Sequence, residues 1–248
     1  MMRISTLAAA ALLITATLAT TACGQARGSR GSQASRLNAD SLEQRANRGR
    51  MKGADSAQVT IVEISDFQCP YCREFAATTY KQIDSVYVRT GRARILYINL
   101  PLTSHREAFG AAEAAMCAGV QGKFWQMHDR LFATQGEWGG QADAGRRFER
   151  FARDLRLNMA DWRDCTANDR TAPLIVGDAM QAAEASINGT PTFILNSRNG
   201  QKALTGAVPY DQFAREIDAL LAGPPAPASG APAPQTPSAP TQPAPTQP

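Results

Sequence analysis

Cys69 and Cys72, in the stretch ISDFQCPYCREF (64–75), have the residue types and spacing to do chemistry. Two thiols separated by two residues can hold a metal, staple a turn, or cycle between dithiol and disulfide. A structural zinc site needs four ligands, usually from a second Cys-x-x-Cys or a closely spaced histidine pair. The histidines here, His105 and His128, lie far apart and no second Cys-x-x-Cys exists, so no metal is expected. A bridge over a two-residue loop constrains little of the unfolded chain, and within a helical turn it is easily reduced. Reversible redox exchange remains, and it requires no cofactor. An alternative use of the same thiols is copper(I) binding, since soft thiolates select that metal. No Met-rich or His-rich tract supports it.

The elements around the pair must position it. Residues 58–67 (QVTIVEISDF) are rich in β-branched side chains and read as a buried strand. Pro70 suits the first turn of a following helix, where its missing N–H is no loss. That helix is expected to reach about Val88. Cys69 then sits at a helix N-terminus, where free N–H groups and the helix dipole favour a thiolate. Cys72 lies one turn in, within bridging distance. A second strand is expected over 92–102, and Ser104–Glu107 (SHRE) matches a capping box for an Ala-rich helix running to Val120. Helical stretches follow at 123–135, 146–158, 159–169 and 172–186. A strand pair at 187–196 and 202–206 and a closing helix from Val208 complete the order.

This order, with Cys-Pro-Tyr-Cys opening the first helix and Gly189-Thr190-Pro191-Thr192-Phe193 opening the later strand, resembles the thioredoxin superfamily. More narrowly it resembles the DsbA-like branch, an α/β thioredoxin fold interrupted by an all-helical insertion. CAGVQGKFWQMHDRLF (117–132) resembles that insertion, placed here at about 104–186. The resemblance implies that Pro191 is the cis-proline packed beside the two cysteines, with Thr190 before it. It also makes Glu63, six residues before Cys69, a buried acid beneath Cys72. The apolar neighbours Val62 and Ile64 fit a strand covered on both faces, where burial would raise the proton affinity of Glu63. Asp66 is expected to cap the turn, and His105 and His128 to be structural. The implied activity is thiol–disulfide exchange. Cys69 would be the exposed nucleophile, Cys72 the resolving thiol and Glu63 its proton relay. Pro70, Tyr71 and Thr190 would contact substrate. Oxidase is the first reading, acting on exported proteins and recharged by a membrane or soluble redox partner; reductase or isomerase is the alternative. Family oxidases often carry His where Tyr71 stands, and Pro-Tyr is the pair of the glutaredoxin motif.

The ends of the chain bear on compartment. Residues 1–22 read as an export signal: Arg3, an apolar run from Leu7 to Ala19, then Thr20, Thr21 and Ala22. Cys23 follows in the position of a lipidated cysteine, although Thr20 replaces the usual leucine. Residues 23–52 read as a basic flexible linker that would suit an anionic membrane surface. The region 53–222 reads as the DsbA-like domain, and 223–248 as a disordered tail with ten of the 15 prolines. The chain carries +4 overall, but the linker holds six Arg and Lys52 against two acids, so the domain itself is net acidic. That argues against nucleic acid as a partner, which calls for a basic face on the domain. In an exported chain cysteines pair. Of the five, Cys117 and Cys165 are then expected to form a second, structural disulfide; two separate buried thiols are the alternative. Mass spectrometry of the mature N-terminus tests the tether. A diacylglyceryl group on Cys23 is expected, and an unmodified Cys23 or cleavage elsewhere rejects it.

Overall fold

The structure, a computed structural model, describes residues 41–223. The export signal, Cys23 and the tail beyond Gly223 lie outside the described residues. Chain order begins with α1 (Leu42–Gly49), β1 (Met51–Gly53), β2 (Val59–Ser65), α2 (Pro70–Ala77) and α3 (Thr79–Ile83). A π-helical turn at Asp84–Val88 leads to β3 (Ala93–Asn99). Six helices follow: α4 (Ala108–Gly119), α5 (Phe124–Ala133), α6 (Gln135–Trp138), α7 (Ala144–Asp154), α8 (Met159–Ala167) and α9 (Ala172–Glu184). The hairpin β4 (Thr192–Ser197) and β5 (Gly200–Thr205) and helix α10 (Tyr210–Ala222) close the domain. This is the DsbA-like thioredoxin fold with its helical insertion.

One five-stranded sheet, in the order β1-β3-β2-β4-β5, organises the molecule. β2 runs parallel to β3, and α2 and α3 supply the crossover that such a pair needs; the other pairs are antiparallel. Central β2 is covered on both faces. Val59, Ile61, Glu63 and Ser65 alternate onto one face and are all buried there. Val62 and Ile64 turn to the other face, against Ala179 and Ala182 of α9. α10 packs Phe213 and Ile217 beside Phe193 and Phe75, while the insertion builds its own core around Phe124, Trp138 and Phe148. Cys117 on α4 and Cys165 on α8 are joined in a disulfide with Sγ atoms 1.99 Å apart. Closing a loop of 48 residues contributes on the order of 4 kcal/mol in the chain-entropy model.

Three local expectations are corrected. The first helix does not run unbroken to Val88. Thr78 leaves helical geometry (φ −118°, ψ −85°), its hydroxyl donating to the Glu74 carbonyl at 2.7 Å, and Thr79 donates to Val208 O at 2.9 Å. Hydroxyls that bond the backbone compete with the helical ladder. Nor does Ser104 cap α4, which starts at Ala108 without a side-chain cap. Glu107 instead accepts from Gly140 N at 3.0 Å and donates its N–H to Gln68 Oε1 at 2.9 Å.

The third correction concerns the linker at 23–52, whose last part is folded. Ser41 and Gln44 form a reciprocal capping box that starts α1. Gly49 touches α4 so closely that a Cβ there would lie 2.5 Å from Gly119 O. β1 then adds to the sheet edge against β3. Between them, buried Arg50 forms an ion pair with Asp178 of α9, which also accepts from Asn99 N at 3.0 Å and Asn99 Nδ2 at 2.8 Å. Composition misleads here because Arg50 spends its charge internally. Arg50→Met strands a buried carboxylate, which costs about 3–5 kcal/mol. Urea unfolding should show a correspondingly lower midpoint with the slope unchanged, whereas a dispensable tether would leave the midpoint where it was.

Candidate active site

The dithiol sits where β2 ends and α2 begins. Asp66 shapes the turn: its Oδ1 accepts from Gln68 N at 2.7 Å, and its Oδ2 accepts from Leu102 N at 2.8 Å and meets His105 Nδ1 at 2.8 Å. His105 therefore lies in the loop before α4 and fastens that loop to the cysteine turn. From the insertion, buried Gln135 donates through Nε2 to Phe67 O at 2.7 Å and Cys69 O at 2.9 Å. Gln135 and Gln68 carried no signal in the sequence, because an anchoring amide is recognisable only once its distant carbonyl or N–H partner is known. His128 packs among Phe67, Tyr97, Trp125 and Phe132, with Nδ1 2.8 Å from Asp129.

Cys69 is the N-cap of α2, Pro70 its first residue, and Cys72 lies in its first turn. Both cysteines are free thiols. The expected exposure of Cys69 is not found: only 4% of it is accessible, against 0% of Cys72. Cys69 lies just beneath the surface, under the loop that carries Thr190 and Pro191, and Cys72 lies deeper. The Thr190–Pro191 peptide is cis. As a thiol, Cys69 donates to Thr190 O at 3.4 Å. The Thr190 hydroxyl, buried and otherwise without a partner, also adjoins the sulfur and favours its thiolate. Tyr71, between the cysteines, is 62% exposed.

Proton affinities within the pair diverge. Cys69 is lowered to about 5, first because the Cys72 thiol donates to its sulfur, and further because Thr190 and the N–H groups of Tyr71 and Cys72 favour the anion; burial opposes them. Cys72 is pushed well above the ordinary thiol value, first by burial and then by Cys69 beside it. On the same buried face of β2 as Ser65, burial raises Glu63 to about 8, opposed by its neighbour Ser65. The dithiol can therefore hold one thiolate and one thiol at neutral pH, while the Glu63 carboxyl is largely protonated.

A family model described as "Thioredoxin" matches residues 45–219. The chain belongs to the thioredoxin family. The match begins inside α1, in agreement with the folded position of that helix. Among solved structures, this thioredoxin-family chain resembles BdbD from Bacillus subtilis in its oxidised form, with a TM-score of 0.63, 21% identity, and 70% of this chain and 93% of that one covered. It likewise resembles alpha-DsbA1 from Wolbachia pipientis (TM-score 0.63, 19% identity, 70% and 90% covered). A curated relative, "Probable disulfide bond formation protein D" of Bacillus anthracis, is 32% identical over 84 residues, which is 34% of this chain and 39% of that protein. The "Na(+)/H(+) antiporter NhaA 1" of Salinispora arenicola is 39% identical over 153 residues, 61% of this chain but 22% of the antiporter. The chain thus spans well under half the length of these curated relatives. Among the described residues no helix is long and apolar enough to cross a membrane.

The lowered affinity of Cys69 is open to direct measurement. Ultraviolet thiolate absorbance of the reduced protein should rise with a midpoint near pH 5 and vanish in Cys69→Ser. A midpoint at the ordinary thiol value would remove the asymmetry described above.

Proposed function

We propose that this protein is a thiol–disulfide oxidoreductase of the cell envelope and that it works as an oxidase. The observation that carries the proposal is the split in proton affinity between Cys69 and Cys72. A thiolate favoured at Cys69 stabilises the reduced pair, which makes the corresponding disulfide a stronger oxidant. The export signal read at residues 1–22 supports an envelope location. So does the second disulfide, since such bonds persist in oxidising compartments.

In the proposed cycle the oxidised protein carries a Cys69–Cys72 bond. A substrate thiolate attacks Cys69 Sγ, that bond breaks, and Cys72 leaves with the electron pair and takes up a proton. The substrate's second thiolate then attacks its own sulfur in the mixed disulfide. The substrate disulfide forms, and Cys69 leaves as a thiolate, a good leaving group because its proton affinity is low. A membrane or soluble redox partner accepts the two electrons and restores the Cys69–Cys72 bond. Pro191 and Thr190 border the sulfur where an extended substrate would lie, in the manner of strand addition, and exposed Tyr71 offers an aromatic face beside it. Glu63 is the proton reservoir for Cys72. The antiporter relative gives no support for ion transport by this chain, because the shared stretch is only about a fifth of that protein.

Trapping tests the assignment. Cys72→Ser should accumulate covalent adducts with exported proteins that disappear on reduction, while Cys69→Ser should accumulate none. Purified oxidised protein should pass its disulfide to a reduced substrate, and in glutathione buffers the pair should equilibrate as an oxidant. Adducts on Cys72 instead would reverse the roles, and a thioredoxin-like potential would replace oxidase with reductase.

A further inference from the structure

We propose that Ser65 carries the proton between Glu63 and Cys72, an inference that rests on the reading of Cys69 and Cys72 as a working redox pair. Cys72 is a buried thiol, and a buried sulfur of high proton affinity is a poor leaving group. When the Cys69–Cys72 bond opens, Cys72 needs a proton at once; when it closes, that proton must go. Water has little access to Cys72, which is fully covered.

β2 supplies the route. Glu63 and Ser65 are two residues apart on one strand, so both side chains point to the same face. Each is buried. Tyr97 stands opposite Glu63 in the parallel ladder with β3, and Asn99 opposite Ser65. Glu63 Oε1 and Oε2, Ser65 Oγ and Tyr97 OH are all buried without a hydrogen-bond partner of ordinary geometry. Four unpartnered polar atoms in one dry cluster are unusual, because buried polar groups are nearly always paired. The Ser65 hydroxyl is their common neighbour: it acts on the proton affinities of Glu63, Cys72 and Tyr97 alike. Beside Cys72 stand Cys69, the Ser65 hydroxyl and the Asp66 backbone.

The step balances. On opening, the departing Cys72 sulfur takes the Ser65 hydroxyl proton while Ser65 takes the proton of the Glu63 carboxyl, leaving Glu63 as a carboxylate. On closing, Cys72 gives its proton to Ser65 Oγ as the Ser65 proton passes to the carboxylate, and the freed thiolate attacks Cys69 Sγ. The other titratable groups around the relay are Tyr97 on β3, Tyr80 on α3 and Asp66 after β2, with His128 on α5 packed against both tyrosines. Tyr97 holds its proton, first through burial and then through the nearby Glu63 and Cys72 charges, so it is a fixed donor that can steady the Glu63 carboxylate.

The test loads Cys69 with glutathione and follows the release of glutathione as Cys72 closes the internal disulfide. Ser65→Ala should slow closing by about 100-fold at neutral pH, the low end of what a positioned proton-transfer group contributes. It should also abolish the inflection near pH 8 that Glu63 gives the wild-type rate. Ser65→Thr, which keeps the hydroxyl, should restore both. The Cys69 titration should be the same in all three proteins. In the wild type, rates in mixtures of light and heavy water should curve as two moving protons require. Closing in Ser65→Ala at the wild-type rate and pH profile overturns the relay, as does a linear isotope dependence in the wild type. Because closing is read on a glutathione adduct, the oxidase reading fails separately. A protein that closes in a Ser65-dependent manner but passes no disulfide to reduced proteins keeps the relay and loses that reading.

Discussion

The interaction on which the site depends is the contact between two sulfurs that share one proton unequally. Cys69 stands at the N-terminal end of α2, where the Cys72 thiol and two free backbone N–H groups favour an anion. Cys72 stands one turn deeper, where burial forbids one. Neither state is intrinsic to cysteine. Both follow from holding Cys-Pro-Tyr-Cys at the junction of a buried strand and a helix. Pro70 fits that junction because the first helical position needs no N–H.

Several parts of the molecule hold that junction still, and they come from distant stretches of chain. Asp66 ties the turn to the loop after β3 through Leu102 N and His105. Gln135 reaches in from the insertion to the carbonyls of Phe67 and Cys69, and Gln68 answers with a bond to Glu107 at the start of α4. The insertion therefore clamps the cysteine turn, while the Thr190–Pro191 loop meets the Cys69 sulfur. Farther out, the Arg50–Asp178–Asn99 network joins the edge of the domain to the C-terminal end of β3 and to α9. In the clamps of Asp66, Gln68, Gln135 and Asp178 a side chain bonds backbone N–H or C=O groups of a distant segment.

Much of this was legible in the sequence because its signals are local. A β-branched run followed by Cys-Pro marked β2 and the start of α2, and Gly-Thr-Pro ahead of an apolar run marked a turn entering β4; that this turn lies beside the cysteines followed from the family resemblance. The order of elements, with helices between two strand regions, followed from periodicity. What failed was non-local. Residues 42–52 looked like part of a basic tether because nothing in the sequence shows that Arg50 meets Asp178, 128 positions away. Ser104 looked like a cap because the pattern was present, but the loop it belongs to is held by Asp66 and Gln68 instead. Ser65 was passed over although the alternation Val59, Ile61, Glu63, Ser65 put it on the same buried face as the acid.

That face carries the conflict built into the site. The two positions that follow Ile61 on this face, 63 and 65, would be expected to continue apolar in a strand covered on both sides, yet the chain places a carboxyl and a hydroxyl there. Glu63 is neutral in its resting state because burial penalises its charge more than any neighbour relieves it. Tyr97, directly across the ladder, stays neutral for the same reason. The cluster thus avoids buried charge while keeping protons next to a sulfur that must gain and lose one. Departures of this kind from local consistency are where function is expected to sit. Here the departure covers Glu63, Ser65 and Tyr97 and stops at Ile61, where the strand returns to the apolar core shared with α10.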